Sequence, residues 1–515
     1  MQDVQRVHRP RYEVDPAAEP RPPRFVRLAV IGALAFGFVL RWWPRSALWL
    51  DEAQSVAIAR LPLGQIPRAL RQDGAPPLYY VLLHQWMSFF GVGDGAVRSL
   101  SALCSIGAVC VLAVVAHRLA GRSAAWCAAL LMMTTPFAIR YATETRMYAL
   151  LTLEVAVLVL AVHQCLRRDG QLLAHLGIAG CSAALLYTHY WALYVLGASV
   201  VVLLALGLVP RWQLSQKDRR QCLVVAGSIG AGFVAWLPWL PTFLFQRRHT
   251  GTPWSQASIW RLLPDSARAG ITPGWLFGGL VAAAAVLMVR RSIKGGAQVD
   301  TGATRMILAV LAIAAIVALV GATLSRSALV VRYLSVLFPL FMLLVAIGVA
   351  STSARVRTAI LVAACTVGLV MSVREAGHER TPAARFASEL ELDAQPRDLI
   401  VYCPDQLGPA LSRLLEGGQL AAGQVPFPSG NAGRVDWVDY GQRYAAADSA
   451  AFARTIVARA EGATIWLVWS DKYPPTQTAC TKLFSALSSL RPTAHLVIPE
   501  NFADGDHGAL WRFTA

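Results

Sequence analysis

Leu50-Asp51-Glu52-Ala53 sets two adjacent carboxylates beside Trp49 in an apolar stretch. A carboxylate so placed can take the proton of an attacking hydroxyl, help typically worth about 10²–10⁴-fold in rate. The plainer reading is that Asp51 caps a helix over 52–60 and favours its dipole. That accounts for one acid and not for the second. Arg140-Tyr141-Ala142-Thr143-Glu144-Thr145-Arg146 supplies a further acid between arginines, and Tyr187-Thr188-His189-Tyr190-Trp191 supplies a histidine. A lone histidine among aromatics is more often a packing residue. Arg332-Tyr333 opens an apolar run on the side where basic residues are scarce, and an anionic ligand such as a lipid phosphate explains it. Arg247, Arg248 and His249, with Trp254, read better as solvated or headgroup-anchoring groups. A base beside several cations can serve a group transfer in which the base takes a proton and the cations stabilise negative charge as it builds. A carboxylate opposite the leaving group gives inversion, by analogy with inverting glycosidases.

The elements that must hold these groups are membrane helices. Of 515 residues, 56% are apolar and only 15% charged, and the mean hydropathy is +0.47. Soluble domains run at about 45–50% apolar and about 25% charged, so a soluble, disordered, collagen-like or disulfide-scaffold chain is excluded. The formal charge of +17 fits basic cytoplasmic loops better than nucleic acid, and no nucleic-acid partner is expected. Residues 1–26 read as a disordered cytoplasmic tail. Eleven apolar runs follow, near 27–43, 98–117, 123–140, 146–165, 172–187, 192–209, 221–243, 272–289, 304–323, 333–351 and 357–373, each near the roughly 20 residues a bilayer needs.

Basic clusters mark alternate loops: Arg118/Arg122, Arg167/Arg168, Arg211/Lys217/Arg219/Arg220, Arg290/Arg291/Lys294 and Arg355/Arg357. With the N-terminus inside, all five are cytoplasmic, as the positive-inside rule demands. Asp51, Glu52, Asp73, Glu144 and His189 then share the outer face, in loops 44–97 and 141–145 and the turn at 189, with a further outer loop at 244–271. The apolar stretch 76–90 is short for a span and reads as an interfacial helix with its Tyr and Trp at the headgroups. The multi-pass chain belongs in the plasma (inner) membrane.

Beyond 374 the pattern changes. Runs at 398–402 and 464–469 read as buried strands, and 448–461 and 476–490 as helices, giving an extracytoplasmic α/β domain over 374–515. Cys403 and Cys480 are its two cysteines, and in an oxidising compartment they suggest one disulfide. The other seven cysteines read as small packing residues in the spans. Trp437, Trp466, Trp469 and Tyr473 are candidates for acceptor contact or for the domain core.

Leu50-Asp51-Glu52-Ala53, Pro76-Pro77-Leu78-Tyr79-Tyr80, Arg98-Ser99-Leu100-Ser101-Ala102-Leu103 and Arg140-Tyr141-Ala142-Thr143-Glu144 occur in an order that resembles the glycosyltransferase-C superfamily. The nearest branch by resemblance holds protein O-mannosyltransferases and aminoarabinose transferases, and the likeness runs from about 27 to 350. It implies sugar transfer from a polyprenyl-phosphate donor to a glycan, glycolipid or protein acceptor at the outer face. Mannose is the first expectation and arabinose the second. It also implies Asp51 as base, with Glu144 matching a second-loop acid and Glu52 as an orienting or structural acid in the catalytic group. Arg332 and Tyr333 resemble a pair facing the donor phosphate, joined in this reading by Arg140, Arg146, His189 and Tyr79. Some relatives use a divalent metal and others do not; Mg or Mn would sit on Asp51, Glu144 and His189, and the residues leave this open. The competing reading is a transporter or lipid flippase with an external binding domain, which would carry ionisable groups at the bilayer midplane.

Overall fold

The computed structural model describes residues 24–167, 171–209, 214–251, 299–325, 330–418, 420, 422–501 and 505–515. The expected span 272–289, the loop cations Arg290, Arg291 and Lys294, Trp254 and most of the tail lie outside the described residues. Among those described, α1 is Arg24–Leu40, α2 Leu50–Ala59, α3 Ile66–Asp73, α4 Leu78–Phe90, α5 Asp94–Thr134, α6 Pro136–Ala142, α7 Tyr148–Arg167, α8 Leu172–Thr188, α9 Ala192–Leu208, α10 Gln216–Trp236 and α11 Leu240–His249. Then come α12 Thr301–Ser325, α13 Phe338–Ala350 and α14 Ala354–Gly377. Five helical stretches, 94–134, 148–167, 216–249, 301–321 and 354–377, are long and apolar enough to cross a membrane by length and composition. Three shorter apolar helices, α8, α9 and α13, accompany them.

Breaks occur where the chain chemistry requires them. Gly121 has φ +77, which L side chains rarely adopt, and it divides α5 into two helices matching the expected spans 98–117 and 123–140. The second of these stops early. Thr135 is extended and Pro136 starts α6, because proline fits the first turn of a new helix and not the interior of an old one. The expected span 333–351 also shifts: Val331–Val336 is a 3-10 turn, and α13 begins only at Phe338. Arg332 and Tyr333 therefore sit on a tight turn at the helix mouth.

The expectation that the tyrosines of 76–90 lie at the headgroups needs correction. α4 forms, but Tyr79, Tyr80, Leu83 and Met87 are buried against the protein, and the exposed aromatics are Phe89 and Phe90 at its end. Burial of two tyrosines requires partners for their hydroxyls: Tyr79 meets Ser101 of α5, and Tyr80 donates to Asp73 in the outer loop.

The C-terminal region begins with α15 Ala383–Asp393 and continues through β1 Leu399–Cys403, α16 Gly408–Glu416, β2 Gly423–Pro426, α17 Tyr440–Ala445, α18 Ser449–Ala460, β3 Ile465–Trp469, α19 Gln477–Leu490, β4 Thr493–Ile498 and β5 Ala509–Thr514. The sheet order is β2-β1-β3-β5-β4. β1 is parallel to β2 and β3, whereas β5 runs antiparallel to β3 and β4. The continuous apolar runs of β1 and β3 are buried on both faces, as expected for the centre of a helix-covered sheet. Asp448 caps α18 by accepting from the Ala450 and Ala451 amides. Cys403, ending β1, is joined to Cys480 of α19, with Cα atoms 5.5 Å apart.

Candidate active site

Asp51 lies in the first turn of α2, one residue inside its start, so it does not cap the helix. Trp49 precedes the helix in extended form. The Leu50 amide is instead met by Asp506 Oδ2 at 3.2 Å, from the far end of the chain. That leaves the Asp51 carboxylate free to point at cations. Arg332 Nη1 is 3.1 Å from its Oδ2, and Arg146 Nη2 is 4.0 Å away. Two guanidinium groups facing one carboxylate leave the cluster net positive.

Glu52 behaves differently, although it is the next residue. It is fully buried. Arg98 grips both its oxygens at 2.8 and 2.6 Å, the Thr145 amide donates to Oε1 at 2.8 Å, and Arg380 Nη1 lies 3.8 Å from Oε2. Burial opposes its charge, but Arg98 and Arg380 outweigh burial and hold its pKa below the usual carboxylate range. Glu52 has no face open to substrate. Of the orienting or structural roles expected for it, its contacts describe an anchor tying α2 to the 143–146 turn.

Arg146 is held from several sides. Its Nη1 donates to Ser55 Oγ and Tyr80 Oη, each at 3.1 Å. The Tyr80 hydroxyl donates onward to Asp73 Oδ2 at 2.9 Å, and Gln54 Nε2 donates to Asp73 Oδ1 at 2.5 Å. Burial pushes the Asp73 carboxyl up. Gln54 also pairs with the Val435 backbone in both directions, at 3.2 and 2.9 Å. One chain of polar contacts thus runs from the C-terminal region through Asp73 and Tyr80 to Arg146 and Asp51.

Glu144 is almost wholly buried, with Arg140 Nε 3.2 Å from its Oε2. Burial pushes its pKa up, with Arg140 opposing the shift. Arg140 also binds Glu375 at 2.7 Å. Its charge is therefore shared between two carboxylates, and it is less free for phosphate than the sequence suggested. Tyr79 is fully buried with its hydroxyl 3.2 Å from Ser101 Oγ, which removes it from the donor-contacting set. Its neighbour Tyr80, one residue on, carries the contact to Arg146.

His189 sits in the turn between α8 and α9, its ring 5.9 Å from that of Tyr148 and 5.0 Å from that of Tyr333. Burial, with Arg146 and Arg332 nearby, lowers its pKa to about 3. The Trp191 amide meets Nδ1 at 3.1 Å, which leaves the ring proton on Nε2. The imidazole is a neutral hydrogen-bond donor at the mouth of the bundle.

Among the described residues, no three His, Cys, Asp or Glu side chains gather to hold a metal ion. Asp51, Glu144 and His189 do not form a ligand set, and the cations facing Asp51 are arginines. Sequence reasoning placed Asp73 on the outer face without giving it a role, missed Arg380 and Asp506, and quoted Arg98 only as part of a motif. Asp73 had a signal: it stands just before the Gly74-Ala75-Pro76-Pro77 turn leading into Tyr79-Tyr80. Arg380 and Asp506 had none, being distant in sequence from everything they touch.

The sequence matches a family model described as dolichyl-phosphate-mannose-protein mannosyltransferase over residues 74–239. A comparison with curated proteins found no match. The structure is similar to ArnT from Cupriavidus metallidurans in the apo state, with TM-score 0.60 and 15% identity over 95% of this chain and 97% of that one. It is equally similar to the same enzyme bound to undecaprenyl phosphate, covering 98% of that chain with TM-score 0.60. The chain shares the fold of ArnT along almost its whole length. A more distant structure, the Archaeoglobus fulgidus oligosaccharyltransferase tethered to an acceptor peptide, aligns at TM-score 0.53 and 10% identity over 94% of this chain and 74% of that one. In this chain the acids of the 44–97 and 141–145 segments and the Arg332 turn meet at one end of the helix bundle.

Proposed function

We propose that the protein transfers a sugar from a polyprenyl-phosphate donor to a hydroxyl of a cell-envelope glycan, glycolipid or protein at the outer membrane face, with inversion. The N-terminus is then cytoplasmic and the C-terminal domain extracytoplasmic. The carrying observation is the Asp51 carboxylate held between Arg332 and Arg146. A donor phosphodiester carries one negative charge, which this net-positive cluster balances. As the sugar's anomeric C–O bond to phosphate breaks, charge builds on the departing phosphate, and the two guanidiniums stabilise it. Asp51 takes the acceptor's proton while the acceptor oxygen bonds to the anomeric carbon. Neutral His189 can hold a phosphate or sugar oxygen by its Nε2 proton. Mannose is favoured by the family model's description and aminoarabinose or another pentose by the likeness to ArnT. That likeness includes a structure bound to undecaprenyl phosphate, which supports a lipid-phosphate donor. The transporter reading has no comparable support.

The test is transfer from a purified polyprenyl-phosphate sugar to a membrane-extract acceptor at two donor concentrations. D51N is expected to lose about 10²-fold or more in turnover at both. Arg332→Ala is expected to weaken donor binding by about 1.5–3 kcal/mol, the scale of a truncated charge-assisted contact, and to recover in part at high donor. Near-normal turnover in D51N rejects Asp51 as base.

A further inference from the structure

We infer that Asp506, in the C-terminal domain, is a positioning residue for Asp51, so that this domain sets the geometry of the reaction centre. The inference rests on the transferase reading for its activity arm only.

The geometry is a short rigid path. Asp506 Oδ2 accepts the Leu50 amide at 3.2 Å, one residue before Asp51. At a helix start, amides lack intrahelical partners, and a side-chain oxygen that binds one fixes the orientation of the first turn. Trp49, the residue in cap position, makes no such side-chain bond, so Asp506 does this work from outside the helix. The Leu50 side chain completes the joint. It lies in one buried apolar cluster with Leu399, Val401 and Phe513 of the C-terminal sheet. The residue that leads into Asp51 is therefore packed as part of another domain's core.

Asp506 is itself closely held. Its amide donates to Arg380 O at 2.9 Å, and a Cβ on Gly505 would lie only 2.7 Å from that same oxygen. The next amide, of His507, donates to Tyr473 Oη at 3.0 Å, from the loop that follows β3. Arg380 in turn donates to Thr143 O and Oγ1 at 2.8 and 2.7 Å, beside Glu144. Asp51 and Glu144 are thus both referenced to one short segment of the C-terminal domain. The charged and titratable groups around Asp506 are Asp51 on α2, Arg140 on α6 and Tyr473, with the Thr381 hydroxyl also in reach. Burial, with Asp51 adding to it, lifts the Asp506 carboxyl to about 7, so it can share this space with the Asp51 charge. An amide side chain offers the same acceptor oxygen without charge, so asparagine should replace Asp506 and alanine should not.

The experiment uses the full-length protein in detergent with D506A, D506N, Leu50→Pro and the double variant D506A/Leu50→Pro. Proline is tolerated at the first helical position and removes the donor N–H there together with the Leu50 packing, so both halves of the joint are lost. Expected results are a tenfold or greater fall in kcat for D506A, little change in donor KM, and turnover within about threefold of wild type for D506N, since small displacements of a reacting group cost rates on the scale of 10²-fold. Leu50→Pro should fall likewise, and the double variant should be no worse than the poorer single. Hydrogen exchange over residues 48–55 reads the contact without activity: faster in D506A, protected in D506N. Wild-type turnover in D506A, or equal loss in D506A and D506N, overturns the inference. Unchanged exchange in D506A also overturns it, even if wild type shows no sugar transfer, which would reject the transferase reading separately.

Discussion

Adjacent residues Asp51 and Glu52 look equivalent in the sequence, yet one faces a partly open cation pair and the other is sealed. The difference is made by Arg98 and Arg380, which lie far along the chain, so no local pattern could assign it. The carboxylate motif was legible; the division of labour within it was not. A consequence follows for stability. Removing one partner of a buried ion pair strands the other charge and costs about 3–5 kcal/mol. E52Q should leave Arg98 and Arg380 buried with too little negative charge, and should lower the thermal unfolding midpoint markedly in detergent. D51N, at a side chain 17% exposed, should unfold close to wild type while losing turnover. If E52Q melts like wild type, Glu52 is not the anchor its contacts describe.

At the scale of elements, apolar length marked the spans well and their ends poorly. Pro136 and the 3-10 turn at Val331–Val336 cut or delay helices that hydropathy alone would extend, because backbone rules and not apolarity fix a terminus. The strands β1 and β3 and helices α18 and α19 were legible from run length and period. The pairing order was not, since it depends on contacts between distant segments. Two predictions belong here. A Cβ on Gly368 of α14 would lie 2.5 Å from Thr134 O at the end of α5. Small residues allow such close helix approach in membranes, and Gly368→Val should cost about 1–3 kcal/mol, read as a lower melting midpoint. In the C-terminal domain, Asp405 accepts from Tyr440 and Tyr444 hydroxyls at 2.7 and 3.0 Å, yet burial lifts its pKa to about 6. A raised folded pKa means the folded state binds the proton more tightly. The resulting stability is complete below the unfolded value of about 3.9 and fades as pH rises through about 6, by about 3 kcal/mol. The melting midpoint should therefore decline between pH 4 and 7 in a part that Asp405→Asn abolishes. An unchanged slope in Asp405→Asn would assign the decline to other groups.

For the whole molecule, the membrane bundle and the C-terminal domain meet through many directional contacts. Arg413 pairs with Asp94 at 2.9 Å, Arg60 with Glu416 at 3.1 Å and His249 with Asp439 at 3.0 Å, besides the Gln54–Val435 bonds. Exposed pairs of this kind each add little, on the order of 0–1 kcal/mol, but together they fix one orientation of the sheet over α2 to α4. That arrangement constrains topology. The loops carrying Asp51, Glu144 and Arg413's partner Asp94 must share a membrane side with residues 383–515, because the domain touches them directly. The Gly121 break, with Arg118 and Arg122, lies on the far side of the first half of α5 from Asp94. The proposed topology, which follows the positive-inside bias, has that break in the cytoplasm and the C-terminal domain outside. Arg122→Cys and Ser429→Cys, both at exposed positions, test this in intact cells with a membrane-impermeant maleimide. Ser429→Cys should label at once and Arg122→Cys only after the membrane is opened. The reverse order would place Asp51 on the cytoplasmic face, and the outer-face transfer reaction with it would have to be abandoned.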